Sequence, residues 1–472
     1  MDAGLGVSLS LLREHFGHPA FRPAQEPVIR SVLTGRDTLA VLPTGGGKSV
    51  CFQVPALALG GLTIVVSPLV SLMQDQVAAA RARRIPAGAL TGGLGTEERE
   101  RIWQELREGT LRLLYVSPER LDGLAPRLRD EGVRPALLAV DEAHCISEWG
   151  HDFRPSYRRL RGARYKLGGP QTIALTGSAT PAVREDIIRV LGLHRNPAVH
   201  VGSFDRPNLW LGVMPVPDER ARLQTLLGLL RRDQLAIVYA PTRGVTESLA
   251  RALFRAGHRA VPYHAGLTRE RRAATLEAFL RGQVGIVVAT CAFGMGIDKP
   301  DVRVVVHWTV PPTPESYYQE AGRAGRDGQP SRCVLLWRRG DAALHRRQLD
   351  VTFPPRRVLE ALWSGRTSPE RVPGALRASA ERLRAELRPE LGPPEWRAVA
   401  VRRRLAEGRI AAMEAYAESR RCRRQALIGY FGERLLRCAG CDRCDRRSSG
   451  PVAAVRRVLL GWTREHPGDR RG

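Results

Sequence analysis

Pro43-Thr44-Gly45-Gly46-Gly47-Lys48-Ser49 lies between an apolar β-branched run and a helix-forming stretch. Consecutive glycines let backbone N–H groups curl around a triphosphate, and a following helix N-terminus adds partial positive charge. Lys48 then suits the β/γ-phosphates and the Ser49 hydroxyl suits Mg²⁺. The strict G-x-x-x-x-G-K-[ST] spacing is missed, because Leu42 stands where the first glycine belongs. Val140-Asp141-Glu142-Ala143-His144 ends a second apolar run. Carboxylates at that edge of an open parallel sheet suit Mg²⁺ and its waters (Asp141) and activation of an attacking water (Glu142). Gln319-Glu320-Ala321-Gly322-Arg323-Ala324-Gly325-Arg326 sets two arginines three apart, and their forks fit the oxygens of a transferring phosphoryl group. Trp149, Phe153 and Tyr157, interleaved with His151 and Arg154, offer stacking faces and phosphate donors for single-stranded bases. The same spacing of four also fits the buried stripe of a helix. Cys422, Cys438, Cys441 and Cys444 supply four thiolates with two short chelate steps, the donor set of a structural Zn²⁺ with no position left for water. His264 and His307 end strands, where a histidine is more often a satisfied structural donor.

These groups need elements to hold them. Short, nearly continuous apolar runs predict parallel strands at Thr38–Leu42, Thr63–Ser67, Leu113–Val116, Leu137–Val140 and Thr172–Leu175. The pattern restarts at Ala236–Tyr239, Gly285–Ala289, Val302–His307 and Val334–Trp337. Alternation with helical stretches implies two α/β domains in tandem, 1–200 and 217–342. Prolines 197, 207, 215 and 217 mark the junction, and 201–216 is read as a linker. From Asp341 the β-branched runs stop. Arg-rich helices are predicted at Arg356–Trp363, Gly374–Leu387, Glu395–Ala406 and Ile410–Arg421, giving a helical insertion (343–410), a cysteine module (411–450) and a basic tail (451–472).

The 472 residues carry 74 Lys+Arg against 48 Asp+Glu, a net charge of +26. Such a surface attracts polyanions, nucleic acid first. Residues 331–472 alone hold +16, so a binding module appended to a milder body is expected. Only three basic residues (Lys48, Lys166, Lys299) are lysines, which makes the one in the glycine loop informative, since a compact ammonium and a planar guanidinium are not interchangeable. Pro55, Gly60-Gly61 and Pro68 break the one uncharged stretch that resembles a membrane span, and no basic n-region precedes Leu9–Leu12. A cytoplasmic protein with reduced thiols is expected.

The order of motifs resembles that of superfamily 2 helicases and, more closely, of RecQ-type DNA helicases. The likeness adds Phe16-Gly17-His18-Pro19-Ala20-Phe21-Arg22-Pro23-Ala24-Gln25, Leu175–Thr180, Ser203–Leu209, Tyr263–Leu267 and Ala289–Pro300 to the motifs above, and covers roughly residues 10–340. It implies two RecA-like domains plus a C-terminal helical zinc-binding module, working with ATP, Mg²⁺ and structural Zn²⁺. Arg22 and Gln25 would read adenine, Thr44, Gly45, Gly46, Gly47, Lys48 and Ser49 would hold the phosphates, and the Gln319–Arg326 motif would complete the centre from the second domain, with Arg326 as the finger. Lys299 would serve the cleft between the domains. The Trp149–Tyr157 segment would relay DNA occupancy to the ATPase centre. Single-stranded and duplex DNA are the implied partners, possibly with single-strand-binding protein, and the implied activity is 3′→5′ unwinding in repair or recombination. Only 28 residues follow Cys444, so the winged-helix and HRDC domains of longer relatives are not expected. That leaves open a translocase that does not separate strands, or an RNA helicase.

Overall fold

In the computed structural model, residues 2–43, 45–150, 152–193, 196–294, 299–387 and 395–445 are described. Thr44, His151 and the 451–472 tail, all singled out by the sequence, lie outside them. The chain divides after Phe204 into two units.

The first unit is built on strands rich in Val, Ile and Leu, which bury both faces between helices. They are β1 (Thr38–Val41), β2 (Thr63–Val66), β3 (Ala87–Leu90), β4 (Leu113–Val116), β5 (Leu137–Val140), β6 (Gln171–Thr176) and β7 (Ala198–Val201). All pair in parallel, in the order β3-β4-β2-β5-β6-β1-β7. The core runs along the sheet through side chains such as Val65, Tyr115, Ala139 and Leu175, capped by Phe52, Met73 and Val77 from the helices. Val41 is level with Thr176, and Val140 with Ala174. The segments leaving β1, β5 and β6 therefore emerge at one edge, where an open parallel sheet presents its ligand site.

The second unit repeats the plan with β8 (Leu209–Pro215), β9 (Ala236–Tyr239), β10 (Ala260–Tyr263), β11 (Ile286–Ala289), β12 (Val304–His307) and β13 (Ser331–Trp337), again parallel, in the order β10-β11-β9-β12-β13-β8. The expected 201–216 linker is thus corrected. Its apolar stretch pairs with β13 over all seven residues, and Pro215 stands at the strand end, where a missing N–H costs little.

The C-terminal helices Arg356–Trp363 and Gly374–Leu387 stand where the sequence placed them. The two helices expected over 395–421 are instead one, Trp396–Glu418, of 23 residues. Val399, Arg402, Ile410, Met413 and Ala417 continue a single buried stripe through Gly408, and that packing outweighs the roughly 1 kcal/mol a mid-helix glycine costs. Among the described residues the insertion holds no strand. It carries a small core of its own, Leu359, Ala380, Leu383 and Val399 under Trp363 and Trp396, whose rings stack 5.5 Å apart.

Candidate active site

The glycine loop turns out of β1 with Gly45 and Gly47 at positive φ, 82° and 72°. These angles suit residues without a Cβ. The turn closes through Gly46 N–H donating to Pro43 O (2.8 Å). Among the described residues, the N–H groups of Gly47, Lys48 and Ser49 donate to no other backbone group, and the helix Val50–Leu59 begins directly after them. Unengaged amides at a helix start beside a lysine are the chemistry of a phosphate cradle, so the residues present fit a nucleotide triphosphate.

Arg22 and Gln25, expected to read adenine, hold the loop itself. Arg22 donates to Gly45 O, and Gln25 Nε2 donates to Gly46 O and Gly47 O, both at 3.1 Å. The other end of the Gln25 amide accepts from Arg22 N (2.9 Å). A Cβ on Gly47 would collide with Gln25 Nε2, so this glycine also makes room for the buried amide.

Asp141 and Glu142 follow β5 at the same edge. Asp141 is buried, and its pKa is pushed up to about 6, first by desolvation and then by the Glu142 charge, while Lys48, the Glu142 N–H and His144 pull it back. Its Oδ1 accepts from Glu142 N (2.9 Å). Glu142 adopts φ 47°, ψ 46°, a left-handed conformation that a non-glycine residue takes only when its surroundings enforce it. The Cys145 N–H donating to Glu142 O (2.9 Å) and the His144 Nδ1 contact to its carboxylate (3.3 Å) do so. Burial opposes a charge on His144, yet Cys145 and Glu142 raise its pKa above the ordinary histidine value. The Asp141 carboxylate and the Ser49 hydroxyl are oxygen ligands that fit Mg²⁺, and Lys48 fits the phosphates that would accompany it.

The aromatic segment separates into two roles. Trp149 is half exposed and Phe153 partly so. Tyr157 is fully buried, and its hydroxyl donates to Asp141 O (3.1 Å), so the expectation that it stacks on bases is corrected. It braces the acidic segment from below. Arg154 is also engaged, donating to Pro68 O (2.8 Å) and to Asp152 Oδ2 (3.1 Å). The His144, Cys145 and Asp152 ligand atoms lie within 4.8 Å of one another, but these side chains are used in the Thr176, Glu142 and Arg154 contacts of the fold.

In the second unit the helix Pro314–Ala321 delivers Gln319 and Glu320, and the turn after it carries Arg323 and Arg326. Arg323 is buried against Tyr239 and close to Gly294, while Arg326 is only partly buried. His307 Nε2 meets Glu320 Oε2 at 2.8 Å, and His264 Nε2 meets Glu247 Oε1 at 3.1 Å, so both histidines are structural. Lys299 folds onto its own unit, donating to Leu280 O (3.0 Å).

The four cysteines converge, their sulfurs all within 4.8 Å and the Cys422–Cys441 pair at 3.9 Å. Tetrahedral Zn–S bonds of about 2.3 Å give an S···S edge of about 3.8 Å. Gln425 N donates to Cys422 Sγ (3.5 Å) and Cys444 N to Cys441 Sγ (3.4 Å), bonds that favour thiolates. The residues fit Zn²⁺. Sequence reasoning gave no role to Arg206, half-buried within the Ser203–Leu209 motif, or to the buried Arg424, two residues after Cys422, which together bind this module to the arginine turn. Their sequence neighbourhoods mark the segments but not the carbonyls these forks reach.

Comparison with known proteins agrees with this layout. The DEAD/DEAH box helicase family matches residues 22–187, the helicase conserved C-terminal domain 219–328, and the RecQ zinc-binding family 395–445. An ATP-dependent DNA helicase RecQ of Pasteurella multocida is 39% identical over 441 residues, covering 93% of this chain and 62% of that protein. The probable ATP-dependent DNA helicase RecS of Bacillus subtilis is 42% identical, covering 71% of this chain and 67% of that protein. The chain thus spans a little over three fifths of the length of the Pasteurella relative. Among solved structures, Mycobacterium smegmatis helicase Lhr bound to ssDNA and AMP-PNP shares the fold, with a TM-score of 0.55 at 22% identity over 88% of this chain and 58% of that one. No helix among the described residues is long and apolar enough to cross a membrane. With three matched families in this order and relatives of this identity, the chain belongs to the RecQ family of helicases.

Proposed function

We propose that this chain is an ATP-dependent DNA helicase that couples ATP hydrolysis to 3′→5′ movement on single-stranded DNA and to duplex unwinding, in repair or recombination. The observation that carries the reading is the edge of the first sheet, where Gly47, Lys48 and Ser49, whose amides donate to no backbone group among the described residues, share one end with Asp141 and Glu142, and Lys48 is close enough to lower the Asp141 pKa. Lys48 and the loop amides bind the phosphates. Ser49 and Asp141 hold Mg²⁺, which supplies charge neutralisation on the phosphoryl oxygens. Glu142 takes the proton of the attacking water. Arg22 and Gln25 act on the nucleotide through the loop they fasten. Gln319, Arg323 and Arg326 stabilise the transferring phosphoryl group, and the half-open Arg326 is the finger. These arginines belong to the second unit.

Trp149 and Phe153 stack on single-stranded bases, and His151 and Arg154 contribute to DNA binding. Cys422, Cys438, Cys441 and Cys444 hold a structural Zn²⁺. The names of the relatives support DNA as the nucleic acid, and the reading extends to a cytoplasmic setting and to contact with single-strand-binding protein. Lys48→Ala is expected to lower DNA-stimulated ATP hydrolysis by about 100-fold or more and to abolish strand displacement on a forked duplex. Wild-type hydrolysis at the same rate with and without single-stranded DNA overturns the reading, and stimulation by RNA alone redirects it to an RNA helicase.

A further inference from the structure

The turn that carries Arg323 and Arg326 is unusually well fastened, and the fasteners come from a segment that the proposed chemistry does not use. Arg206 donates from Nη1 to Gly322 O (3.3 Å) and from Nη2 to Ala324 O (3.1 Å) and Gly325 O (2.8 Å). Asn208 Nδ2 adds bonds to Gly325 O (2.8 Å) and Gln329 O (3.0 Å). Gly325 sits at φ 54°, and a Cβ there would fall 2.7 Å from Gln329 O and from Ser331 Oγ. One planar fork and one amide thus fix the Gly322, Ala324 and Gly325 carbonyls of the turn from outside.

Arg206 is itself held. The fork of Arg424, which is almost wholly buried, donates to Asp205 Oδ1 (2.6 Å), Arg206 O (2.8 Å) and Leu209 O, and reaches Gly440 O (3.5 Å) between two of the cysteines. Trp210 Nε1 donates to Asp445 Oδ2 (2.8 Å), and Leu211 bridges to Cys441. An unbroken series of hydrogen bonds therefore runs from the four-cysteine module through Arg424 and Arg206 to the arginine turn, all within the second unit.

A phosphate-directed arginine is useful only where its fork meets the developing charge, and an error of about 1 Å costs on the order of 100-fold in rate. We propose that Arg206 is a positioning residue for hydrolysis, setting the turn that aims Arg326, with Arg424 anchoring it to the cysteine module. The inference rests on the reading of Arg326 as the finger. The bonds from Arg206 end on backbone carbonyls of the turn, so their action on its arginines is through the backbone.

The test is a double-mutant cycle in the full-length chain, with kcat, KM for ATP, affinity for a fluorescent ATP analogue and zinc content measured for each variant. Arg206→Ala is expected to lower kcat about 10- to 100-fold with KM, analogue affinity and zinc content unchanged. On an Arg326→Ala background it is expected to cost less than about twofold more, because an idle finger needs no aiming. Arg206→Lys keeps the charge without the fork and should fall between wild type and Arg206→Ala. It also carries the test should the alanine variant fail to fold. Losses that multiply in the double variant, an unchanged kcat in Arg206→Lys and Arg206→Ala alike, or loss of ATP affinity in step with kcat, overturn the proposal. An Arg326→Ala variant with wild-type kcat instead overturns the assignment of the finger, and the positioning role falls with it.

Discussion

Tyr157 is buried behind the acidic pair. Its hydroxyl satisfies the carbonyl of Asp141 from the buried side, whereas Trp149, eight positions earlier, presents half of its surface to solvent. Tyr157→Phe leaves that carbonyl orphaned, a cost of about 1–2 kcal/mol, which in a unit of this size lowers the unfolding midpoint by roughly 2–4 °C per kcal/mol. Affinity for single-stranded DNA should not change in the Phe variant, and titration of a labelled oligonucleotide beside a melting curve checks both. A Phe variant that binds DNA weakly and melts like wild type would return Tyr157 to the stacking surface. In sequence the three aromatics are indistinguishable, because a spacing of four describes a helix's buried stripe as well as an exposed ladder. Only the tertiary position of the 3₁₀ turn Pro155–Arg159 separates them.

At the scale of elements, the helix Trp396–Glu418 offers a direct measurement. Gly408 lies exposed in its interior, and a Cβ there would meet nothing within 4 Å. Gly408→Ala is therefore expected to stabilise the second unit by about 0.5–1 kcal/mol with unchanged ATPase activity, read as a higher midpoint in the transition that carries this helix. A lower midpoint would mean that the glycine is needed for a bend. The same glycine explains why the sequence suggested two helices here. Strands followed a similar logic. Leu113–Val116, Leu137–Val140 and Ala236–Tyr239 have the bounds their apolar runs suggest. The four strands that did not stand out, β3, β7, β8 and β10, are the four sheet edges. An edge strand needs less covering, so Ala-Gly-Ala-Leu, Ala-Val-His-Val and Ala-Val-Pro-Tyr carry little of the continuous hydrophobicity that marks a central strand. Loop chemistry was more legible than side-chain contacts. The glycine loop, the acidic pair and the cysteines sit where their spacing implied, but the Ser203–Leu209 motif and the residues after Cys422 did not disclose which carbonyls Arg206 and Arg424 reach.

For the whole molecule, the proposed DNA binding together with a net charge of +26 predicts an affinity strongly dependent on ionic strength. If six or more phosphates are neutralised, affinity should fall by on the order of 10³ between 50 and 200 mM salt, with a slope that counts the contacts. A flat response would place the excess arginine outside the DNA path. The helix Trp396–Glu418 has a further mechanical consequence. It is about 34 Å long at 1.5 Å per residue, with Trp396 and Val399 in the insertion's own core at one end and Tyr416 and Ala417, whose carbonyls accept from Arg423, at the other. A hydrogen-bonded rod of that length is stiff, so a load on the inserted helices is carried to its far end as tilt rather than absorbed on the way. There the Arg423 fork joins the Tyr416 and Ala417 carbonyls to Asp442, which lies between two of the cysteines, so that tilt would be delivered through one guanidinium.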